Sequence, residues 1–413
     1  MKKIFNKNAA LAALFLCFVF VVLGGTCYNV YKEKARYISA YADCLGAGTG
    51  TLAKTKAATL TLYNALVNVN DSVFAKNGFI NVYGFSQKAT GNRCVYEQDG
   101  KVNKVVKMDD ASITFVMNKN NNLAQQAAKT STLNKKLKSE GVDLLYVQLP
   151  FKINKFEKGL PTGVEDYSNE NADEILASLI DRDVATFDLR NEIAKEFSAY
   201  ASLFFKTDHH WKPETGLWAA HKIADKLNSD YGFNMDTSLF EKDRFALTTY
   251  KDHFLGSMGK RMGIYYAGRD DFSLLLPRDE TDMSCHYKRA NGKTFGKSGS
   301  FEDTWIFHEH LKKDYFESNT YVTYSGGDFP LMIFHNNRIE DKKILVLRDS
   351  YSCVVIPFLS LAACAEMHII DPRMYKGSIT EYIDNIKPDV VLMLYNPSIL
   401  NTDCFFDFQK NNR

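Results

Sequence analysis

The chain has 413 residues, of which 45% are hydrophobic and 13% aromatic, so it can bury the core of one large domain or of two ordinary ones. Lysine and arginine total 51 against 49 aspartates and glutamates, and the formal net charge is +2. This balance argues against a polyanionic partner such as nucleic acid and favours neutral or weakly charged substrates.

The N-terminus predicts a membrane anchor. Residues 8–31 contain no charged side chain, with three lysines before them and a basic cluster after them. The stretch is long enough to span a bilayer, and its flanks predict a cytoplasmic N-terminus with everything after about residue 31 outside. A cleaved signal peptide is the alternative, but no A-x-A pattern ends the apolar run. We therefore expect 1–31 to be a cytoplasmic tip and an uncleaved signal-anchor helix in the cell membrane.

Beyond the anchor, 32–69 is predicted to be a juxtamembrane stalk and 70–413 one extracytoplasmic domain. Helical and strand patterns alternate in this domain, which indicates a three-layer α/β/α sandwich with a mainly parallel sheet. Residues 232–335, rich in glycine, aromatic and charged residues, are predicted to be an insertion of short strands and hairpins. The predicted helices are 125–141, 172–180, 191–200, 352–365 and 378–386, and the predicted strands are 142–149, 184–189, 343–347, 367–370 and 390–394.

Ser350, in "ILVLRDSYS", follows a predicted central strand and begins the next helix. Ligands of open α/β sheets bind at the carboxyl ends of the strands, and backbone N–H groups at a helix start can stabilise an oxyanion. A helix-capping serine is the alternative interpretation.

A nucleophilic serine needs a base, and the base needs an orienting acid. In "FFKTDHHWKPETG", Asp208 and His210 are two residues apart, so both side chains can point the same way and hydrogen-bond. His209 is expected to point elsewhere, as a structural residue or at the substrate edge. Pro213 suits the first turn of a helix, which makes the acid and base part of a strand-to-helix loop.

A metal site is the competing interpretation of the same segment. Asp208, His209, His210 and His221 are possible ligands, but no cluster of aspartates ends the earlier strands, as a metal-dependent phosphoesterase would need. No C-x-x-C pair is present either. We therefore predict neither a metal nor a cofactor.

Several motifs in one order resemble the DHHW proteins, relatives of the alginate O-acetyltransferases with an SGNH-hydrolase-like domain. They are "TDHHW", "KPETG", "FLGSMGKRMGIYYAGRDDF", "ILVLRDSYSCVVIPFLS" and "IIDPR", and the resemblance runs from about residue 70 to 394. It implies a triad of Ser350, His210 and Asp208. It also implies an enzyme outside the membrane that takes acetyl from a membrane-bound O-acyltransferase and places it on a polysaccharide hydroxyl.

Three further residues lie at the same predicted sheet edge. Arg373 could contribute to an oxyanion hole or form an ordinary salt bridge, and Tyr395 and Asn396 could line the pocket. The function predicted is therefore glycan O-acetylation through an acyl-serine. An O-acetyl esterase and a non-catalytic partner of an O-acyltransferase remain as alternatives, because transfer and hydrolysis share the acyl-serine.

Overall fold

The computed structural model describes residues 7–34, 59, 69–95, 105–312, 314–340, 342–363 and 365–409. The chain forms two compact units, 1–83 and 84–413. The predicted stalk, 32–69, lies almost wholly outside the described residues.

The helices are α1 (Lys7–Lys32), α2 (Lys76–Ala89), α3 (Leu123–Ser139), α4 (Ser168–Ile180), α5 (Leu189–Glu196), α6 (Pro213–Tyr231), α7 (Ser257–Met262), α8 (Ile264–Ala267), α9 (Phe301–Trp305), α10 (Ile356–Leu359) and α11 (Ile379–Ile386). The strands are β1 (Cys94–Val95), β2 (Val105–Lys107), β3 (Ile113–Thr114), β4 (Asp143–Gln148), β5 (Ala185–Asp188), β6 (Phe245–Phe254), β7 (Asp270–Pro277), β8 (Met283–Lys288), β9 (Thr294–Gly299), β10 (Leu331–Asn336), β11 (Lys343–Arg348), β12 (Glu366–Ile370) and β13 (Val390–Tyr395).

Helix α1 is the longest helix among the described residues of the N-terminal unit. Among the described residues, one helix segment, Ala9–Lys32, is long and apolar enough to cross a membrane. Its side chains are mostly exposed, as a lipid-facing helix requires. The apolar N-terminal helix expected from the sequence is therefore present, and it is a candidate membrane span.

The second unit is built on an eight-stranded sheet with the order β5-β4-β13-β11-β12-β10-β8-β9. The first five strands are mutually parallel, and the remaining three pair antiparallel. β11 lies near the middle, between β13 and β12. Its carboxyl end therefore faces the edge where parallel sheets place their ligands.

Helices cover both faces of the sheet, because the central strands are apolar on both sides. Every residue of β13 is buried. Successive residues alternate between two hydrophobic cores: Val390 and Leu392 belong to one, Val391 and Met393 to the other. Helix α6 packs on the first face, and α3, α4 and α11 pack on the second. The predicted three-layer α/β fold is confirmed, with an antiparallel extension of the sheet.

That extension comes from the segment predicted as an insertion. Within 232–335, β8, β9 and most of β10 join the main sheet, while β6 and β7 form a separate antiparallel pair. The alternation of buried and exposed residues along β8 fits an antiparallel strand with one covered face.

The single helix predicted at 352–365 is wrong. The chain forms a short 3-10 turn over Ser350–Val354 and then only the four residues of α10. Pro357 lies in the first turn of α10, where its missing N–H costs nothing, whereas the interior of a longer helix would lose a hydrogen bond there.

Candidate active site

Ser350 lies two residues beyond the end of β11, at the start of the 3-10 turn. Asp349 caps this turn: one of its carboxylate oxygens accepts from the N–H of Tyr351 at 2.8 Å. The other accepts from the backbone and side-chain N–H groups of Asn396 at 2.6 and 2.7 Å. Burial raises the pKa of Asp349 to about 6, against the lowering effect of these hydrogen bonds. The position of Ser350 is thus fixed by a buried cap tied to the end of β13.

Three predicted residues meet in a continuous hydrogen-bonded chain. His210 Nε2 lies 2.8 Å from Ser350 Oγ, across 140 residues of sequence. His210 Nδ1 lies 2.6 Å from Asp208 Oδ1. The order of carboxylate, imidazole and hydroxyl is the one a general base needs to take a proton from a serine.

The carboxylate end of this chain is buried and ionised. Asp208 is 3% exposed, and burial alone would raise its pKa. The neighbouring His210 and His209 and the hydrogen bonds from His210 and Ser257 outweigh burial, so the pKa of Asp208 lies well below its ordinary value. A permanent negative charge therefore faces His210 Nδ1, where it can stabilise a developing imidazolium.

Local pairing holds the loop that carries the acid and base. Phe204 and Trp211 form an isolated antiparallel bridge, which closes the intervening residues into a hairpin-like loop. The indole N–H of Trp211 donates to the carbonyl oxygen of Tyr351 at 2.9 Å, so the loop is tied to the serine turn. Lys212 is the N-cap of α6 and Pro213 its first residue, as the sequence pattern predicts.

Helix α6 lies unusually close to the turn that carries Ser350. A Cβ added to Gly216 would approach the carbonyl oxygen of Val354 to 2.3 Å. Close packing therefore explains why the last residue of "KPETG" is glycine, since any side chain there would push the helix away from the turn.

A segment of the "FLGSMGK" motif cradles Asp208. The N–H of Ser257 donates to Asp208 Oδ2 at 2.6 Å, and the N–H of Gly256 donates to Thr207 Oγ1 at 2.8 Å. A Cβ on Gly256 would lie 2.2 Å from the Cβ of Asp208, so only glycine allows this approach. Sequence reasoning left Gly256 and Ser257 without a role, although the glycines of the motif were a signal of close backbone contact.

Two tyrosines that sequence reasoning missed also support the site. The Tyr321 ring stacks on the His210 imidazole, with centroids 4.1 Å apart, and its hydroxyl is 3.1 Å from the carbonyl oxygens of both Ser350 and Tyr351. The Tyr351 hydroxyl donates to the carbonyl oxygen of His209 at 2.5 Å. Both phenols are buried, so they hold the imidazole and the serine backbone against each other.

His209 lies closer to Asp208 than expected. Its Nδ1 is 3.1 Å from Asp208 Oδ1 and 3.4 Å from Ser257 Oγ, and its ring lies 3.9 Å from that of His210. Burial, followed by the adjacent His210, lowers the pKa of His209 to about 3. His209 is thus a neutral imidazole that fills the space beside the carboxylate.

The Arg373 guanidinium is held by two carboxylates. Its guanidinium pairs with Asp371 at 2.6 Å and with Asp328 at 2.9 Å. Asp328 also pairs with the buried Arg348 at 3.2 Å, and these two arginines hold the pKa of Asp328 below its ordinary value despite burial. Arg373 therefore forms salt bridges, as one of its two interpretations expects, and its contribution to an oxyanion hole stays a prediction.

The side chains of Tyr395, the last residue of β13, and of Asn396, which follows it, have different surroundings. Asn396 holds the Asp349 cap, one residue from Ser350. Tyr395 is fully buried, its hydroxyl donates to the carbonyl oxygen of Phe405, and its ring packs against Tyr146. The expectation that Tyr395 lines the pocket is therefore wrong, because its side chain belongs to the core on the second sheet face.

Asp208, His209 and His210 also form a cluster of possible metal ligands, with ligand atoms within 4.8 Å of one another. Both Nδ1 atoms face the same carboxylate oxygen, and His210 Nε2 faces the serine. A His210 Nδ1 that donates its proton to Asp208 has no lone pair for a metal, so His210 fits the hydrogen-bonded chain better than a metal centre. His221 lies apart from the cluster, stacked on Phe240 and 3.7 Å from Asp225.

The sheet and the placement of this constellation at its carboxyl edge define an SGNH hydrolase-like domain. Residues 111–263 match the family model described as SGNH hydrolase-like domain, acetyltransferase AlgX. The matched segment includes Asp208, His210, Gly256 and Ser257. The relationship to these acetyltransferases inferred from the motifs is confirmed, and it supports an O-acetyltransferase-like or esterase-like function.

Solved structures with the same fold include two that superpose well. Bacillus cereus PatB1, solved with a sulfonyl adduct, is 20% identical, with a TM-score of 0.62 over 74% of this chain and 98% of that chain. A DHHW family protein from Eubacterium siraeum is 17% identical, with a TM-score of 0.57 over 77% of this chain and 99% of that chain. At these identities the likeness shows a common fold. The comparison with curated proteins gives no match.

Proposed function

We propose that this protein is a membrane-anchored, extracytoplasmic O-acetyltransferase that carries acetyl on Ser350 and places it on a hydroxyl of a cell-surface or secreted polysaccharide. The observation that supports it most is the hydrogen-bonded chain from Asp208 through His210 to Ser350. The match to an acetyltransferase family model over 111–263 supports acetyl as the group that is transferred. The apolar α1 supports the anchor.

In the first half-reaction, Ser350 Oγ attacks the acetyl carbonyl carbon while its proton passes to His210 Nε2. The bond from that carbon to the donor oxygen breaks, and the departing oxygen takes the proton from His210. Asp208 keeps its charge throughout and stabilises the imidazolium. Acetyl-Ser350 and the free donor alcohol result.

In the second half-reaction, a glycan hydroxyl takes the place of the donor alcohol. It loses its proton to His210 and attacks the acetyl carbon, and Ser350 Oγ leaves with that proton. Water in the same position would release acetate instead, so transferase and esterase differ only in the acceptor that occupies the site. A membrane-bound O-acyltransferase is the partner we propose as acetyl donor, because an anchored enzyme reaches a donor in the same membrane.

The experiment follows the fate of the acetyl group. Full-length protein in detergent is given 4-nitrophenyl acetate with a panel of cell-surface oligosaccharides, and the products are separated by mass spectrometry. The proposal predicts acetylated oligosaccharide that depends on Ser350. Acetate as the sole product with every acceptor would favour the esterase alternative.

The scaffold alternative is tested in cells that carry Ser350→Ala in place of the natural protein. Catalysis through Ser350 predicts that glycan acetylation disappears while the variant protein keeps its wild-type abundance. Unchanged acetylation would identify a non-catalytic partner of an O-acyltransferase.

A further inference from the structure

Lys152 is a buried cation in contact with the backbone of residues 205–208, which lead into the acid and base. It follows β4 by four residues, at the same carboxyl edge of the sheet as Ser350, and only 3% of its surface is exposed. Its Nζ donates to the carbonyl oxygens of Phe205 at 2.6 Å, Asp208 at 2.8 Å and Lys206 at 3.1 Å. The ammonium thus contacts three residues of the loop that carries the acid and base.

The same ammonium also contacts strand β3. Nζ donates to the carbonyl oxygen of Ile113 in β3 at 2.7 Å, and the N–H of Ile113 donates to the carbonyl oxygen of Lys206 at 2.8 Å. An ammonium has three N–H bonds, so the four carbonyl oxygens around Lys152 share them. A flat guanidinium presents its donors in one plane and does not reproduce this convergence.

We propose that Lys152 is a positioning residue for acyl transfer: its ammonium gathers these four carbonyl groups and thereby keeps Asp208 and His210 in line with Ser350. This inference rests on the proposed function, since it concerns the reactivity of the same serine. Lys152 does not touch the reacting atoms. It acts through the backbone of 205–208.

A cavity beside Lys152 makes the inference testable by chemical rescue. The cavity has a volume of about 470 Å³ and is lined by Lys152 together with Asp110, Ser112 and Tyr200. Removing the lysine side chain would open this space towards the four carbonyls. A small alkylammonium ion could then enter and restore the missing donors, whereas an alcohol of equal size would bring one donor and no charge.

The protonation state of Lys152 leads to an expected pH dependence of Ser350 reactivity. Burial lowers the pKa of Lys152 to about 8, while Asp270, Asp208 and Asp110 act to raise it and Lys212 acts to lower it. Because the folded pKa lies below the unfolded value of 10.5, the unfolded state binds more protons between about pH 8 and 10.5, and the contribution of this group to stability rises with pH there. Deprotonation of Lys152 should therefore slow the reaction of Ser350 above about pH 8. In this pH range the same group does not destabilise the fold.

The readout is the rate at which a sulfonyl fluoride labels Ser350 in the full chain, followed by mass spectrometry. Ser350 Oγ bonds to sulfur, fluoride leaves, and His210 takes the proton. We expect Lys152→Met to lower the rate about 10- to 100-fold, as a displacement of about 1 Å would. Lys195→Met, at a side chain that is 68% exposed, should leave the rate unchanged.

Lys152→Ala with added ethylammonium should recover part of the lost rate, and ethanol should not. If Lys152→Met fails to fold, Lys152→Arg takes its place: it keeps the charge but not the convergent donors, so the labelling rate should still fall. A wild-type rate in a folded variant at Lys152 would overturn the role of Lys152 alone. Absence of any labelling of wild-type Ser350 would overturn the proposed function as well.

Discussion

The N–H of Ser257 donates to Asp208 Oδ2 over 2.6 Å, although the two residues lie 49 positions apart in the chain. This bond comes from the start of α7, whose N-cap, Gly256, lies against the side chain of Asp208. The carboxylate is thus held from two sides, by its own loop and by a segment beyond α6. Its orientation towards His210 depends on both.

Gly256→Ala tests this cradle. A Cβ there would lie 2.2 Å from the Cβ of Asp208, so the carboxylate or the α7 segment must shift. We expect a loss of about 1–3 kcal/mol of stability from overpacking, and a slower acylation of Ser350. Gly78→Ala is the matched control, because its nearest neighbour is 4.0 Å away. Equal melting temperatures and acylation rates for the two variants would show that Asp208 does not need the cradle.

The two adjacent histidines should differ sharply in their effects. His210→Ala removes the base that faces Ser350 and should lower the acylation rate about 10²- to 10⁴-fold. His209→Gln keeps a neutral polar side chain beside Asp208 and should cost about tenfold or less. Rates of 4-nitrophenol release from 4-nitrophenyl acetate measure both. A larger loss in His209→Gln than in His210→Ala would reverse the assignment of the base.

Tyr321 supports the site in two ways, through its ring and through its hydroxyl, and two variants separate them. Tyr321→Phe keeps the ring stacked on His210 and removes the hydroxyl that reaches the carbonyls of Ser350 and Tyr351, which should cost about 1 kcal/mol of stability. Tyr321→Leu also removes the stacked ring, so its acylation rate should fall well below that of the phenylalanine variant. Thermal unfolding and single-turnover acylation distinguish the two effects. Identical rates in both variants would show that stacking does not orient the imidazole.

Acid should remove a stabilising contribution of Asp208. Its folded pKa lies well below the unfolded value of 3.8, so the contribution is present above that value and is lost as the pH falls through the folded pKa. Asp208→Asn should therefore lower the melting temperature at pH 7, and the gap between wild type and variant should shrink as the pH falls below about 4. A gap that widens with acid would contradict the ionised state of Asp208.

Much of this site could be predicted because its chemistry lies in short motifs. Asp208 and His210 share one loop, and Ser350 follows a strand whose apolar run is plain in the sequence. The residues that hold these three in place could not be predicted in this way. Ser257, Tyr321 and Lys152 contact the site across 49, 29 and 56 residues of sequence, respectively, so only the fold brings them there.

The differences between prediction and structure have identifiable causes. Tyr395 is the last residue of β13, and the alternation of side chains along the strand turns it towards the core on the second sheet face. Pro357 divides the helix predicted at 352–365. The antiparallel strands β8–β10 join the sheet through pairings between distant segments, which the pattern of a single strand does not reveal.

The most direct test of the account is to trap acetyl on Ser350. Full-length protein is mixed with 4-nitrophenyl acetate, quenched with acid and digested, and the peptide that contains Ser350 is analysed by mass spectrometry. We predict one acetyl group on Ser350 in the wild type, its disappearance when an oligosaccharide acceptor is added and becomes acetylated, and no such adduct in His210→Ala. Oligosaccharide acetylated at the wild-type rate by Ser350→Ala would contradict the account.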